Sequence, residues 1–172
     1  MQLSTDKPSA IRAKQQGNAG TGLAVNRVTL QTATPADAEF LYTLLKLTMQ
    51  NYVDQTWGWD EQWQQQYFQE HFVPENDQLI IKDGQRIGVI STEKTATELV
   101  LSKIFILPRF QGQGLGTELI RAVINEAARC GLPVVLRVLK ANSSAKRLYE
   151  RLGFVVTNTT ETHHYLKLNP AS

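Results

Sequence analysis

Apolar and polar residues alternate along the chain with two different periods, and each change of period marks an element. Val28, Leu30 and Thr32 alternate as a strand does, with successive side chains on opposite faces. Thr34-Pro35-Ala36-Asp37 then offers an N-cap, a proline at the first helical position and an acid in the first turn, the signals that open a helix. Within it Phe40, Leu41, Leu44, Leu45 and Thr48 recur at spacings of three and four, which gathers them into one core-facing stripe. Tyr52 to Trp63 is rich in aromatics, and Asp60 is placed to cap a second helix that Pro74 ends. Three apolar runs follow, Gln78 to Lys82, Arg86 to Thr92 and Leu99 to Leu107. They read as strands, the first two joined by the turn pair Asp83-Gly84, and an antiparallel meander is the simplest layout.

After Pro108 the period becomes helical, with Leu115, Leu119, Ile120, Val123, Ile124 and Ala127 on one face and Gly131 just past the end. Val134 to Val138 is a nearly all-apolar run, as in a strand covered on both faces. Strand, helix and strand over this length predict a right-handed parallel crossover. A short helix over Ser143 to Leu152 carries Ala145, Leu148, Tyr149 and Leu152 on one side and stops at Gly153; strands near Phe154 to Asn158 and Thr162 to Leu168 complete the chain. The sum is a mixed α/β fold (α+β in its sheet) of six to seven strands and four helices. Residues 1–25 are polar and glycine-rich without an apolar period, a flexible leader, and 26–170 read as a single domain.

Composition narrows the function classes. Hydrophobic residues at 42% and charged residues at 20% are those of an ordinary globular protein. Lys and Arg number 18 against 16 Asp and Glu, too small an excess for nucleic acid or an anionic membrane as the main partner. No run approaches the roughly 18 apolar residues that span a bilayer, and no secretory pattern opens the chain, so a cytoplasmic protein is expected. Cys130, the single cysteine, falls at the apolar end of a helix and reads as a buried, inert thiol. His71, His163 and His164 lack metal-ligand spacing with any cysteine or acid cluster, so no metal is expected.

The chemistry concentrates in Gln111-Gly112-Gln113-Gly114-Leu115-Gly116-Thr117, between the strand ending near Leu107 and the next helix. A helix N-terminus leaves its first N–H groups unpaired in a field that favours anions, and glycines let those amides approach closely. A pyrophosphate suits this geometry. A Walker A loop would need Gly-Lys-Ser/Thr and a dinucleotide loop Gly-x-Gly-x-x-Gly; Gly112, Gly114 and Gly116 fit neither. On the glycines alone, a tight strand-to-helix turn with no ligand is the other reading.

Two segments together resemble the Gcn5-related N-acetyltransferase (GNAT) family. Gln111, Gly114 and Gly116 match its Gln/Arg-x-x-Gly-x-Gly/Ala signature, preceded by the usual strand and proline at Ile104-Phe105-Ile106-Leu107-Pro108. Asn142 to Phe154 matches its Asn-x-x-Ala-x-x-Leu-Tyr-x-x-x-Gly-Phe segment through Asn142, Ala145, Leu148, Tyr149, Gly153 and Phe154. The resemblance implies a GNAT-like fold with central strands splayed around the cosubstrate, acetyl-CoA. It implies that the backbone of Ile104, Phe105 and Ile106 pairs with the pantetheine arm, and that Gln111, Gly112, Gln113, Gly114, Leu115, Gly116 and Thr117 hold the pyrophosphate. It places Asn142 and Ala145 beside the cofactor and Tyr149 near its sulfur as general acid.

The implied reaction passes an acetyl group to the primary amine of a small molecule by direct attack. The amine, with an ordinary pKa of about 10, must lose a proton to a base or water. The carbonyl oxygen needs a donor, for which the family uses a backbone amide on the strand here containing Ile106. Holding both substrates in line can itself contribute about 7 to 11 kcal/mol at best. Some members carry a glutamate five residues before the helix asparagine as base; Arg137 stands there in this chain. Glu93, Glu98 and Glu61 are base candidates by location.

Trp57, Trp59 and Trp63 read either as core filler or as the wall of the acceptor pocket, and Asp54, Asp60 and Glu61 either hold a cationic substrate or cap and solubilise. The acceptor side is accordingly expected at Trp57, Trp59, Glu61 and Glu93. Arg109 and Arg147 lie near the expected phosphates or on solvated surface, and Asn142 can be an N-cap as well as a ligand. A peptide N-terminus or lysine is the alternative acceptor, and a non-catalytic acyl-CoA-binding module the alternative class. A homodimer is compatible with either.

Overall fold

A computed structural model of the protein describes residues 23–171. Its elements are β1 Thr29–Thr32, α1 Ala38–Trp57, α2 Glu61–His71, β2 Gln78–Lys82, β3 Gln85–Lys94, β4 Leu99–Ile106, α3 Leu115–Arg129, β5 Val134–Leu139, α4 Ser143–Arg151, β6 Val155–Thr159 and β7 His163–Leu168. Three short 3-10 turns, at Pro35–Asp37, Pro74–Asn76 and Pro108–Phe110, each begin on a proline, whose fixed φ suits a first helical position. The expected leader, residues 1–25, lies outside the described residues up to 22; Leu23 and Val25 pack half-buried on the core.

The strands form one seven-stranded sheet in the order β1-β2-β3-β4-β5-β7-β6. β2, β3 and β4 form the antiparallel meander that alternation and the hairpin signal predict, and β1 adds antiparallel to β2. Asp83 and Gly84 both take positive φ, 49° and 75°, which matches the twist of a two-residue hairpin. β4 and β5 are parallel, linked through α3, while β7 inserts between β5 and β6.

Helix ends follow local chemistry. The Thr34 amide and hydroxyl both donate to Asp37 Oδ2, at 2.8 and 3.2 Å. Asp37 Oδ1 takes a bond from Arg86 at 2.8 Å. This pulls 35–37 into a tight turn, so the α-helix starts at Ala38, three residues later than the proline signal suggests. Asp60 caps α2 by accepting from the Trp63 amide at 2.9 Å.

Helices cover both faces of the sheet. Leu41, Leu44 and Leu45 of α1 and Phe68 of α2 pack with Leu79 and Val89. Leu119, Ile120 and Val123 of α3 pack on the other face with Ile80, Ile90 and Leu136. Neighbours such as Leu79 and Ile80 therefore serve opposite layers, the period-two rule of a strand buried on both sides. Cys130 departs from expectation: it is exposed, at the C-cap where the helix has already ended, and Lys94 Nζ lies 2.9 Å from its Sγ. Among the described residues no helix is long and apolar enough to cross a membrane.

Candidate active site: a cleft between parting strands

β4 and β5 pair at only two positions, Leu99 with Val134 and Val100 with Val135, and then separate. The cause sits two residues further along β4. On β3 the consecutive residues Ser91 and Thr92 face Lys103 and Leu101, so Ser102 is an extra residue, a β-bulge, and a bulge bends its strand and increases the twist. Polar groups pin it. Ser102 Oγ donates to the Ser91 carbonyl at 3.0 Å, Ser91 Oγ donates to Asp77, and Lys103 Nζ reaches Asp77 Oδ1 at 3.0 Å. The Lys103 and Asp77 side chains are 10% and 4% exposed, a buried pair that holds because each charge has the other.

The parting strands open a cleft of about 1060 Å³, walled by β4, the 108–117 loop and the start of α3 on one side, β5, α4 and β7 on the other, and α1 along the top. Splayed strands lose their mutual ladder bonds, so from Leu101 onward the β4 edge facing β5 offers backbone donors and acceptors to the cleft.

At the mouth, Gly112 and Gly114 take φ of 74° and 81°, left-handed values that glycine adopts without penalty. The first amide of α3 to bond backward is that of Glu118, to the Gly114 carbonyl at 3.0 Å. Among the described residues the amides of Gly112 to Thr117 have no partner, so a row of donors opens beside the cleft at the positive end of a helix. Gln111 works differently from its neighbours: its side-chain amide donates to the Ile106 carbonyl at 2.8 Å, tying the loop to β4. Gln113 lies outside the lining, with its side chain on the Arg109 carbonyl at 3.3 Å.

A brace absent from the sequence-based list holds this loop. Arg27 Nε contacts Glu118 Oε2 at 2.6 Å while Arg27 NH1 bonds the Gln113 carbonyl at 3.0 Å. The Asn26 amide bonds Glu118 Oε1 at 2.9 Å. These contacts hold the Glu118 carboxyl below its ordinary range. They span 86 to 92 residues, and no local pattern signals them.

On the opposite wall Asn142 caps α4, its Oδ1 accepting from the Ala145 amide at 3.2 Å, and both residues line the cleft. Tyr149 also lines it, 8% exposed, with its ring edge-on to Phe154 at 5.7 Å. Burial pushes its phenol up to about 12. Its hydroxyl has no hydrogen-bond partner among the described residues, yet Thr92 Oγ1 alone is both fully enclosed and partnerless there, so the Tyr149 oxygen keeps contact with the cleft.

Of the acceptor-side residues, Trp57 lines the cleft, as does Glu98. Trp59, Glu61 and Glu93 lie outside the lining. Glu61 braces α1 to α2: Trp59 Nε1, Lys46 Nζ and the Tyr42 hydroxyl approach it at 2.8, 2.9 and 3.0 Å. The bond from Trp59 and then that from Lys46 hold its carboxyl down at about 2. Asp54 caps the end of α1 through the Trp59 amide at 2.9 Å. Trp63 stacks on Tyr67 at 5.0 Å, away from the lining. Arg109 and Arg147 are exposed and also outside it. Arg137, His163 and Tyr165 do line the cleft, and β7's position between β5 and β6 is what brings the last two there.

A family model for the acetyltransferase (GNAT) domain matches residues 38–170. The chain belongs to the GNAT family. Acetyl-CoA is the cosubstrate of that family. This GNAT domain is 40% identical over 55 residues to an L-methionine sulfoximine/L-methionine sulfone acetyltransferase of Salmonella typhimurium, covering 31% of this chain and 32% of the relative. It is 32% identical over 75 residues to a ribosomal protein bS18-alanine N-acetyltransferase of Haemophilus influenzae, covering 44% and 51%. The matches thus span about a third to a half of those curated relatives. The fold superposes on the PaiA N-acetyltransferase of Thermoplasma acidophilum in complex with coenzyme A, with TM-score 0.64 and 18% identity over 83% of this chain and 98% of the other.

Proposed function

We propose that this GNAT domain transfers the acetyl group of acetyl-CoA to the primary amine of a small molecule by direct attack, with Tyr149 as proton donor to the departing sulfur. One observation carries the reading: Gly112 and Gly114 to Thr117, with their partnerless amides, and Tyr149, with its partnerless hydroxyl, line the same cleft.

Bound acetyl-CoA supplies an activated acetyl thioester; the chain's own groups place it. The loop amides hold the pyrophosphate, with Gln111 and Arg27 fixing the loop from behind. The unpaired β4 edge over Ile104, Phe105 and Ile106 binds the pantetheine arm as an added strand would. Asn142 spends its oxygen on the Ala145 cap, which leaves its amide NH₂ free to donate to the cofactor. The Tyr149 phenol is protonated at neutral pH, as an ordinary tyrosine is, and burial raises it further; it donates to charge developing on sulfur. Trp57 closes the far end, on the acceptor side. A peptide N-terminus is the second reading, supported by the activity named for the Haemophilus influenzae relative.

Titration with coenzyme A in a calorimeter, followed by thiol-release kinetics on a panel of amines, amino acids and peptides, tests this. Binding with faster release on small amines than on peptides is the expected result. Absence of coenzyme A binding would sink it, and binding with no release on any amine would leave an acyl-CoA-binding module instead.

A further inference from the structure

The fork at which β4 and β5 part has a chemistry of its own. Its root is the pair Val100 with Val135, beyond which the two strands share no register. Leu101 and Leu136, the next residues outward, are 4% and 5% exposed and belong to the core beneath α3. Side chains alternate along a strand, so Val100 and Val135 turn to the opposite face, that of α1, where both are half-buried. All four residues line the cleft. The fork is therefore an aliphatic socket, closed behind by a laddered backbone pair and on the α3 side by two leucines. Its position is fixed, because the Ser102 bulge and the buried Lys103–Asp77 pair hold the point at which β4 bends away.

Length decides what reaches the socket. A Cβ added at Gly116 would meet Ile106 Cδ1 at 3.8 Å, and the Gln111 side-chain amide donates to the Ile106 carbonyl at 2.8 Å. The row of loop amides thus lies beside the outer end of β4. From Ile106 back to Leu101 the open edge runs about 16 Å, at about 3.3 Å per residue. The pantetheine arm has about thirteen bonds between phosphorus and sulfur, equal to just over four extended residues, or about 15 Å. With pyrophosphate on the loop and the arm along β4, sulfur reaches about as far as Leu101, and the acyl carbons beyond it fall in the fork.

We propose that Val100, Leu101, Val135 and Leu136 set the length of the acyl group that this GNAT domain accepts, admitting acetyl and turning away butyryl and longer chains. The inference deepens the acetyl-transfer reading and rests on its placement of coenzyme A. An acetyl methyl fills the aliphatic socket. Each further methylene pushes about 1.2 Å more against a wall that yields only by breaking the ladder at Val100 and Val135. The α3 side gives no exit, since Leu101 and Leu136 are already packed into the core and overfilling such a site forces its neighbours off their preferred rotamers. A longer chain has to turn toward α1, past the two valines, into the space through which an amine reaches the carbonyl.

The test is calorimetry with coenzyme A, acetyl-CoA, propionyl-CoA, butyryl-CoA and hexanoyl-CoA in the absence of acceptor, beside thiol-release kinetics with each thioester and an amine that supports release. Acetyl-CoA should bind about as tightly as coenzyme A and butyryl-CoA about tenfold more weakly, while kcat/KM should fall by about 10-fold with each added methylene. Val100→Ala and Val135→Ala, made separately, cut back the half-buried wall and leave the core leucines alone. Either should bring butyryl-CoA affinity to within about twofold of acetyl-CoA. Affinity for free coenzyme A should stay in place, whereas a merely loosened fold would move it as well. Equal affinity for all the thioesters in the unsubstituted protein would overturn the proposal, and so would a length preference that neither alanine relaxes. The expected ranking with no thiol release on any amine would support the socket and overturn acetyl transfer; no binding of coenzyme A would overturn both.

Discussion

Replacing Tyr149 by Phe removes one oxygen from a side chain that is 8% exposed and leaves the ring against Phe154. Because that oxygen has no partner among the described residues, the fold loses no hydrogen bond, and a buried hydroxyl without one is itself a cost. Stability at pH 7 should change by less than about 1 kcal/mol. Catalysis should not be spared. The phenol sits at about 12 against about 8.5 for an ordinary thiol, so full proton transfer to a thiolate is uphill by roughly 5 kcal/mol. Early in bond breaking the hydroxyl therefore acts as a hydrogen-bond donor to developing charge, which is worth about 1.5 to 3 kcal/mol. Removing it should lower kcat by about 10- to 150-fold, measured by thiol release at saturating acetyl-CoA, with coenzyme A affinity unchanged.

The same phenol leaves a signature at high pH. Its folded value of about 12 lies above the ordinary 10.0, so between these the unfolded chain has lost a proton that the folded chain keeps. Stability must then fall as pH rises through that window, by about 3 kcal/mol in all. The Tyr149→Phe protein lacks this loss, so its stability should exceed that of the unsubstituted protein by a growing margin above pH 10. Unchanged kcat on the true acceptor would remove the hydroxyl from the sulfur; a destabilisation beyond about 2 kcal/mol at pH 7 would mean that it has a structural partner.

Three further outcomes follow from the packing. A Cβ at Gly88 would lie 2.3 Å from the Phe105 carbonyl oxygen, a backbone atom that cannot swing aside, so Gly88→Ala should cost about 3 kcal/mol in urea denaturation; an unchanged midpoint refutes it. Lys103→Met leaves Asp77 charged and buried and should cost about 3 to 5 kcal/mol, much of it recovered when Asp77→Leu is added; equal instability of single and double variants would contradict the pairing argument. Arg27→Ala should shift stability by less than about 1 kcal/mol, since the pair is partly exposed, yet weaken coenzyme A binding by about five- to tenfold because the loop loses its brace. Calorimetry that shows the same affinity would deny the brace its role.

Local pattern alone determined a good deal of this protein. Period-two runs placed β2, β3 and β4, the period-three-and-four stripe placed α1 and α3, and Asp83-Gly84 and Asp60 marked a hairpin and a cap, because each signal is a property of a few adjacent residues. The loop at Gly112 to Thr117 was legible for the same reason: helix N-termini and glycine φ preferences are local physics. What depends on pairing between distant segments was not. The insertion of β7 beside β5 sets His163 and Tyr165 against Arg137, and only sheet order decides that. The Ser102 bulge is a property of register between two strands and has no sequence signature of its own. Asp77 with Lys103, and Arg27 with Glu118, meet only after the chain has folded back over 26 and 91 residues. Glu61 shows the converse: its position near the aromatic segment suggests an acceptor ligand, but Lys46 and Tyr42, one α-helix away, claim its oxygens. Composition and periodicity say which face a residue takes; which neighbours it meets there is settled by the packing of the whole sheet.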